Sequence, residues 1–266
     1  MLWRALKDVK NGFYIDVGAA WPETDSVTIA FYEKGWHGIN IEPNPVLFEQ
    51  LQDHRTKDIN LRVAVSDETS TIEMNFIGDT GLSTLDENIA KRHSTQGWEV
   101  ERHEVEVTTL AKIWSTHVPG DQDVHFLKVD VEGLEAEVLR GNDWSQNRPW
   151  VVVVESTEPL MQQESYAEWE NILLSADYQY AYADGLNRYY VSREHSELLN
   201  FFTYPPNIFD DYVLHSQQQA EVHAQHAEVH VQEEHERANV AEVRLKKLQE
   251  RARIAEDQSR FTRQLA

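Results

Sequence analysis

Two near-continuous apolar runs, Val124 to Val129 and Trp150 to Val154, constrain the fold most. A strand that is apolar along its length has to be covered on both faces, the situation of a central strand in a parallel sheet flanked by helices. Leu134 to Leu139 reads as a short helix between the two, completing a β-α-β unit. The same alternation runs upstream. Phe13 to Gly18 reads as a strand, Pro22 to Lys34 as a helix with Pro at its start, His37 to Glu42 as a second strand, Pro45 to Arg55 as a helix and Leu61 to Val65 as a third strand. Thr71 to Ile77 is extended where a helix is due, which predicts an inserted hairpin. Downstream, Tyr166 to Ala176 has helical spacing through Trp169, Leu173 and Leu174. Tyr178 to Tyr182 and Arg188 to Val191 then flank Ala183-Asp184-Gly185-Leu186-Asn187, a loop suited to positive backbone dihedrals, and predict a closing antiparallel hairpin. The fold class expected is α/β, a Rossmann-like three-layer sandwich.

From about Asp210 the composition turns to Glu, Gln, His, Ala and Arg, without Pro or Gly up to Ala266. Pro205-Pro206 marks a boundary, so the expectation is a globular domain over 1–206 and a helical coiled-coil segment over 207–266. Ala224, Val231, Ala238, Leu245 and Ala252 share one heptad position; Ala220, Ala227, Ala241, Leu248 and Ala255 share another, with Glu234 the exception. Such a seam over residues 214–262 implies a homo-oligomer or a helical partner. A solvated single helix is the competing reading, because Ala layers bury little area. His223, His226 and His230 have a helical spacing that could hold a metal, or they form a solvated face. The seam is still running at Ala266, so the natural chain is expected to continue.

A net charge of -22, from 46 acidic and 24 basic residues, argues against nucleic acid as a partner, since phosphate neutralisation needs Lys and Arg. The absence of cysteine excludes disulfides, thiolate metal sites and cysteine nucleophiles. Met1 to Asn11 lacks the apolar run of a signal peptide and no stretch has the length of a transmembrane segment, so a cytoplasmic location is expected.

The chemistry is concentrated at strand ends. Ile15-Asp16-Val17-Gly18-Ala19-Ala20 delivers an acid and then a small-residue turn that lets a ligand approach the backbone. A Gly-x-Gly-x-x-Gly phosphate cradle is missing, and Asp16, Glu23 and Asp25 would repel an anion. A cationic or zwitterionic cofactor fits better; S-adenosylmethionine, with its positive sulfonium and amino group, is such a molecule. Ile39-Asn40-Ile41-Glu42-Pro43-Asn44 places a second carboxylate at the next strand end, where it can accept hydrogen bonds from both ribose hydroxyls. NAD would use the same Glu but needs the missing cradle. The end of Val63-Ala64-Val65-Ser66-Asp67 could wall the adenine, or be a buried strand with an exposed turn.

These segments resemble the FkbM family of methyltransferases between about Gly12 and Val191. The resemblance rests on Ile15 to Ala19, Asn40 to Pro43, Ala64 to Asp67, Gly81-Leu82-Ser83-Thr84-Leu85, and above all Phe126-Leu127-Lys128-Val129-Asp130-Val131-Glu132-Gly133 with Glu135 and Leu139-Arg140-Gly141. It implies a class I methyltransferase sandwich, S-adenosylmethionine as cofactor and methyl transfer to a hydroxyl, often of a sugar or polyketide. Trp21-Pro22 departs from the family, where many members continue with Gly and an aromatic residue.

Cofactor contacts are therefore expected from Asp16, Gly18, Ala19, Glu42, Pro43, Val65, Ser66 and Asp130. Lys128, Asp130, Glu132 and Glu135 cluster at the end of a central strand, where open α/β sheets place their ligand crevice. A hydroxyl acceptor loses its proton as the methyl moves, so Asp130 is the first choice of general base, with Glu132 and Glu155 as further catalytic candidates. Glu132 and Glu135 would otherwise cap the next helix. Asp130 and Glu155, on adjacent strands, could hold Mg²⁺ between them or bind acceptor hydroxyls directly. Gly78 to Thr84 and the polar stretch with His93 and His103 read as a flexible loop over the site. The reading that follows is an O-methyltransferase acting on a sugar or glycan; the alternative is a catalytically inactive nucleoside-binding scaffold that oligomerises through its coil.

Overall fold

A computed structural model gives the structure of the protein and describes residues 1–77, 83–84, 95, 100–157, 163–210, 213 and 215–264. Residues 1–210 form one compact unit and residues 211–266 a second. The first unit opens with α1 (Leu2–Leu6), followed by β1 (Phe13–Val17), α2 (Ile29–Glu33), β2 (His37–Ile41), α3 (Pro45–His54) and β3 (Ile59–Leu61). A second set of strands comes next, β4 (Ala64–Ser66), β5 (Ser70–Ile77), β6 (Ser83–Thr84) and β7 (Val100–Thr109). The chain continues through α4 (Leu110–His117), β8 (Phe126–Val129), α5 (Glu135–Arg140), β9 (Val151–Glu155), α6 (Glu170–Ser175), β10 (Tyr178–Ala183) and β11 (Asn187–Ser192).

The main sheet has seven strands in the order β10-β11-β9-β8-β1-β2-β3. From β3 to β9 they are parallel, and the closing hairpin adds β11 antiparallel to β9 and β10 antiparallel to β11. The chain leaves β1 outward through β2 and β3, then returns to β8 on the other side of β1, so the order reverses between β1 and β8. That reversal opens a crevice at the carboxyl ends of the strands. The central strands are buried because both faces are covered. Ile15, Val17, Leu127 and Val129 pack into one core, while Tyr14, Phe126, Val151 and Val153 alternate into the other.

Local chemistry explains the boundaries. Asn44 caps α3, its Oδ1 accepting from the N–H of Val46 at 2.9 Å, and Pro45 takes the first helical position. Thr109 caps α4 by accepting from Lys112 N at 3.2 Å. The helix expected over 22–34 is confined to Ile29–Glu33; residues 22–28 instead wrap around Arg55, whose Nη1 donates to the Pro22 carbonyl at 2.9 Å. The single strand expected over 61–65 is two, because β3 pairs with β2 while β4 leaves the main sheet and pairs with β7. The inserted hairpin is present as β5 against β7. His103, expected in a loop, lies on β7 beside Glu101, and its ring packs near Phe76. His93 and residues 78–82 lie outside the described residues.

The second unit contains α7 (His215–Gln264), a helix of 50 residues. No helix among the described residues is long and apolar enough to cross a membrane.

Candidate active site

Gly18, the first residue after β1, has φ +76 and sits against the end of β8; a Cβ there would stand 1.8 Å from the carbonyl oxygen of Asp130. Only glycine meets both demands. The turn is pinned on its other side, with the N–H groups of Gly18 and Ala19 donating to the Ile41 carbonyl at 3.0 and 3.1 Å. This close approach floors a crevice with a cavity volume of about 200 Å³, walled by Ala19 to Trp21, Glu42, Pro43, Val63 to Val65, Met74 and Asp130 to Glu132.

Asp16 and Lys128 are register partners on adjacent parallel strands, so their side chains leave the same face of the sheet. Lys128 Nζ donates to the Gly18 carbonyl at 2.8 Å and lies 3.3 Å from Asp16 Oδ1 and 3.4 Å from Asp130 Oδ2. Burial works against the lysine charge, but the two carboxylates outweigh it and hold the pKa above its ordinary value. Asp16 is 1% exposed; burial raises its pKa and Lys128 opposes the rise. Its Oδ2 accepts from Thr28 Oγ1 at 3.3 Å, whereas Oδ1 has the ion-pair contact with Lys128 and no aligned hydrogen bond.

Behind Asp16 lies a second buried ionic group. Arg55 Nη2 donates to Thr28 Oγ1 at 2.8 Å and to Tyr14 Oη at 2.7 Å, while Nε donates to Asp58 Oδ2 at 3.0 Å. Asp58 also accepts from Tyr14 Oη, Gly38 N and Asn40 Nδ2. Arg55 thus ties the 22–28 segment to the strands and positions Thr28 under Asp16. Arg55, Thr28 and Asp58 were absent from the sequence-based candidates. The one local hint is a charged pair three residues apart just past a helix end, too common a pattern to single out.

Glu42 follows β2 and is 7% exposed. Each oxygen accepts one backbone N–H, Oε2 from Ala20 at 2.9 Å and Oε1 from Asn44 at 2.8 Å. Burial pushes its carboxyl up to about 7, against the lowering effect of those two N–H groups. A carboxylate oxygen has two lone pairs, so both remain able to accept from a ligand in the crevice.

On the β8 side, Glu135 takes the capping role. Its Oε1 accepts from the N–H groups of Val131 and Gly133, both at 3.1 Å, and it is 3% exposed. Glu132 lines the crevice with φ +57, a left-handed backbone that costs a residue with a Cβ about 1–3 kcal/mol. Burial and the neighbouring Asp130 raise its carboxyl above the ordinary range. Glu155 is 8% exposed, and burial together with Asp130 pushes its carboxyl up to about 9. Asp130, with 32% of its side chain exposed, is more open than Glu135 and Glu155.

Of the residues singled out in the sequence, Gly18, Ala19, Glu42, Pro43, Val65, Asp130 and Glu132 line the crevice; Asp16, Ser66 and Glu155 are not among its lining residues, and Ser66 pairs with Thr109 at the β4–β7 junction. The expected Mg²⁺ site finds no support: Asp130 is already paired with Lys128, and no group of three or more His, Cys, Asp or Glu able to hold a metal occurs among the described residues. That applies equally to His223, His226 and His230.

No curated protein is matched by the sequence. The Methyltransferase FkbM domain model matches residues 16–180, more than half of the chain and the span that holds Asp16, Glu42, Lys128, Asp130 and Glu155. A family match that starts at the acid of β1 and runs into β10 covers every wall of the crevice, and the chain accordingly belongs to the FkbM methyltransferase family.

Proposed function

We propose that the protein is an S-adenosylmethionine-dependent O-methyltransferase acting on a hydroxyl of a sugar or glycan. The observation that carries the reading is Glu42, held by Ala20 N and Asn44 N with lone pairs left for two ribose hydroxyls, next to a turn that Gly18 brings within van der Waals reach of β8. When bound, the cofactor supplies an electrophilic methyl group on sulfur. Glu42 would hold its ribose, Pro43 and Val65 the adenine side, and Asp16, with neighbouring backbone groups of 18–20, its aminoacyl end.

The remaining residues fit a hydroxyl acceptor. Asp130 stands at the crevice with its charge balanced by Lys128, placed to accept the acceptor's proton as the new oxygen–carbon bond forms. Burial and the neighbouring Asp130 push the Glu155 carboxyl up to about 9, which suits it to donate a hydrogen bond, either to Asp130 or to the acceptor, rather than to act as base. Asp25, Glu42, Asp130 and Glu132 make the crevice acidic, and the charge of Lys128 is spent on Asp16 and Asp130. A neutral polyol is favoured over a phosphorylated or carboxylated acceptor.

The test is release of S-adenosylhomocysteine from S-adenosylmethionine in the presence of neutral glycosides and of the matching sugar phosphates. Turnover is expected with members of the neutral set, and Asp130→Asn is expected to lower it about 100-fold or more. Turnover confined to phosphorylated sugars, or unaffected by Asp130→Asn, would contradict the assignment of acceptor and base.

A further inference from the structure

The charges beside the heptad seam of α7 carry an orientation. With Ala224, Val231, Ala238, Leu245 and Ala252 at position a and Ala220, Ala227, Ala241 and Leu248 at d, the g positions read His223, His230, Arg237, Arg244 and Arg251. The e positions read Glu228, His235, Glu242 and Gln249. One flank of the seam is therefore cationic or His, and the other is acidic or neutral. Val231, Leu245 and Leu248 are 66%, 55% and 61% exposed and form an apolar stripe along the helix.

We infer that α7 pairs in parallel and in register with α7 of a second copy of this chain. In a parallel pair each g residue meets the e residue of the following heptad on the partner. His223 then faces the partner's Glu228, Arg237 faces the partner's Glu242 and Arg244 faces the partner's Gln249. An antiparallel pair matches g with g and e with e, which in the fully overlapped arrangement sets Arg237 against the partner's Arg237, Arg244 against the partner's His230 and Arg251 against the partner's His223, with no Arg opposite a Glu. The helix as a whole is acidic and His-rich before Arg237 and basic after it, which on its own favours the antiparallel arrangement. The flanking contacts decide, because e and g charges meet at a few ångströms, whereas charges on the outer faces are separated by more than the ~8 Å screening length at physiological salt. Glu242 has an ion pair with Lys246 of its own helix at 2.7 Å, an exposed contact that exchanges readily for Arg237 of the partner. The seven-residue period, interrupted at d by Glu234, also matches a left-handed supercoil.

The chain has no cysteine, so single-cysteine variants of the full-length protein report the geometry directly. Ala224→Cys and Ala252→Cys, each alone and then mixed, would be oxidised and resolved on a non-reducing gel, with light scattering giving the mass in solution. Parallel pairing predicts a dimer mass, with each variant cross-linking to itself at either end of the coil. Cross-linking only in the mixture would show antiparallel pairing and overturn the inference, as would a monomer mass at tens of micromolar protein. Arg237→Glu is expected to weaken the dimer at least tenfold and Arg237→Glu/Glu242→Arg to restore it.

Discussion

Gly18 and the carbonyl oxygen of Asp130 are in such close contact that a Cβ on Gly18 would lie 1.8 Å from that oxygen. The contact joins the ends of β1 and β8 at the point where the strand order reverses, and it is what brings Asp16, Lys128 and Asp130 to one place. Gly18→Ala must therefore displace the backbone after β8 and also accept an unfavourable positive φ. A loss of about 3 kcal/mol is expected, measurable as a lower urea midpoint at unchanged m value. Wild-type stability in this variant would show that the two strand ends are not in contact.

Lys128 is the counter-charge shared by Asp16 and Asp130, so Lys128→Met leaves the two carboxylates without it. Removing one partner of a buried ion pair typically costs about 3–5 kcal/mol, and that range is expected here. In an Asp16→Asn background the same substitution should cost markedly less, a coupling that a double-mutant cycle in denaturant would measure. Equal costs in both backgrounds would mean that the lysine acts only through its hydrogen bond to the Gly18 carbonyl.

Glu42 can hold two ribose hydroxyls only as a carboxylate, and its carboxyl is pushed up to about 7. Binding of S-adenosylhomocysteine is thus expected to strengthen as pH rises from 5 to 8 and to level off above it, approaching tenfold per unit well below 7. Glu42→Gln presents an amide N–H₂ to one of the two backbone donors and is expected to bind about 10- to 100-fold more weakly. Titration calorimetry across pH checks both; a flat profile in the wild type would remove Glu42 from the ribose site.

Glu155 keeps its proton to about pH 9 in the folded chain, against 4.5 for an ordinary glutamate. Its contribution to stability is complete below 4.5 and is lost as pH rises through 9, because over that window the unfolded chain binds fewer protons than the folded one. Glu155→Gln, which mimics the protonated form, should lose less stability between pH 5 and 9 than the wild type does. Denaturant unfolding at the two pH values measures this, and parallel losses would assign the proton elsewhere.

The central sheet and the strand-end acids were legible because apolar runs, small-residue turns and terminal carboxylates are local patterns. The division of Leu61 to Val65 between two sheets was not, since Val63, Ala64 and Val65 carry the same β-branched and small residues whichever sheet receives them. The polar stretch around His103 reads as a loop although Val105 and Val107 alternate with Glu104 and Glu106 in β7, because the polar content of 100–104 masks the period. Arg55 is the clearest omission. A fully buried guanidinium is defined by the partners that surround it, and Tyr14, Thr28 and Asp58 come from separate elements that only the fold assembles. The choice between capping and catalysis for Glu135 was open in the sequence, and its bonds to Val131 N and Gly133 N give it the first role.

The most direct measurement is calorimetric titration of the purified protein with S-adenosylhomocysteine, with NAD as control and with an Asp16→Ala/Glu42→Ala variant shown by circular dichroism to be folded. Saturable binding of S-adenosylhomocysteine alone, abolished in the variant, is the expected result. No binding by the folded wild type, or binding that survives in the variant, would contradict the site.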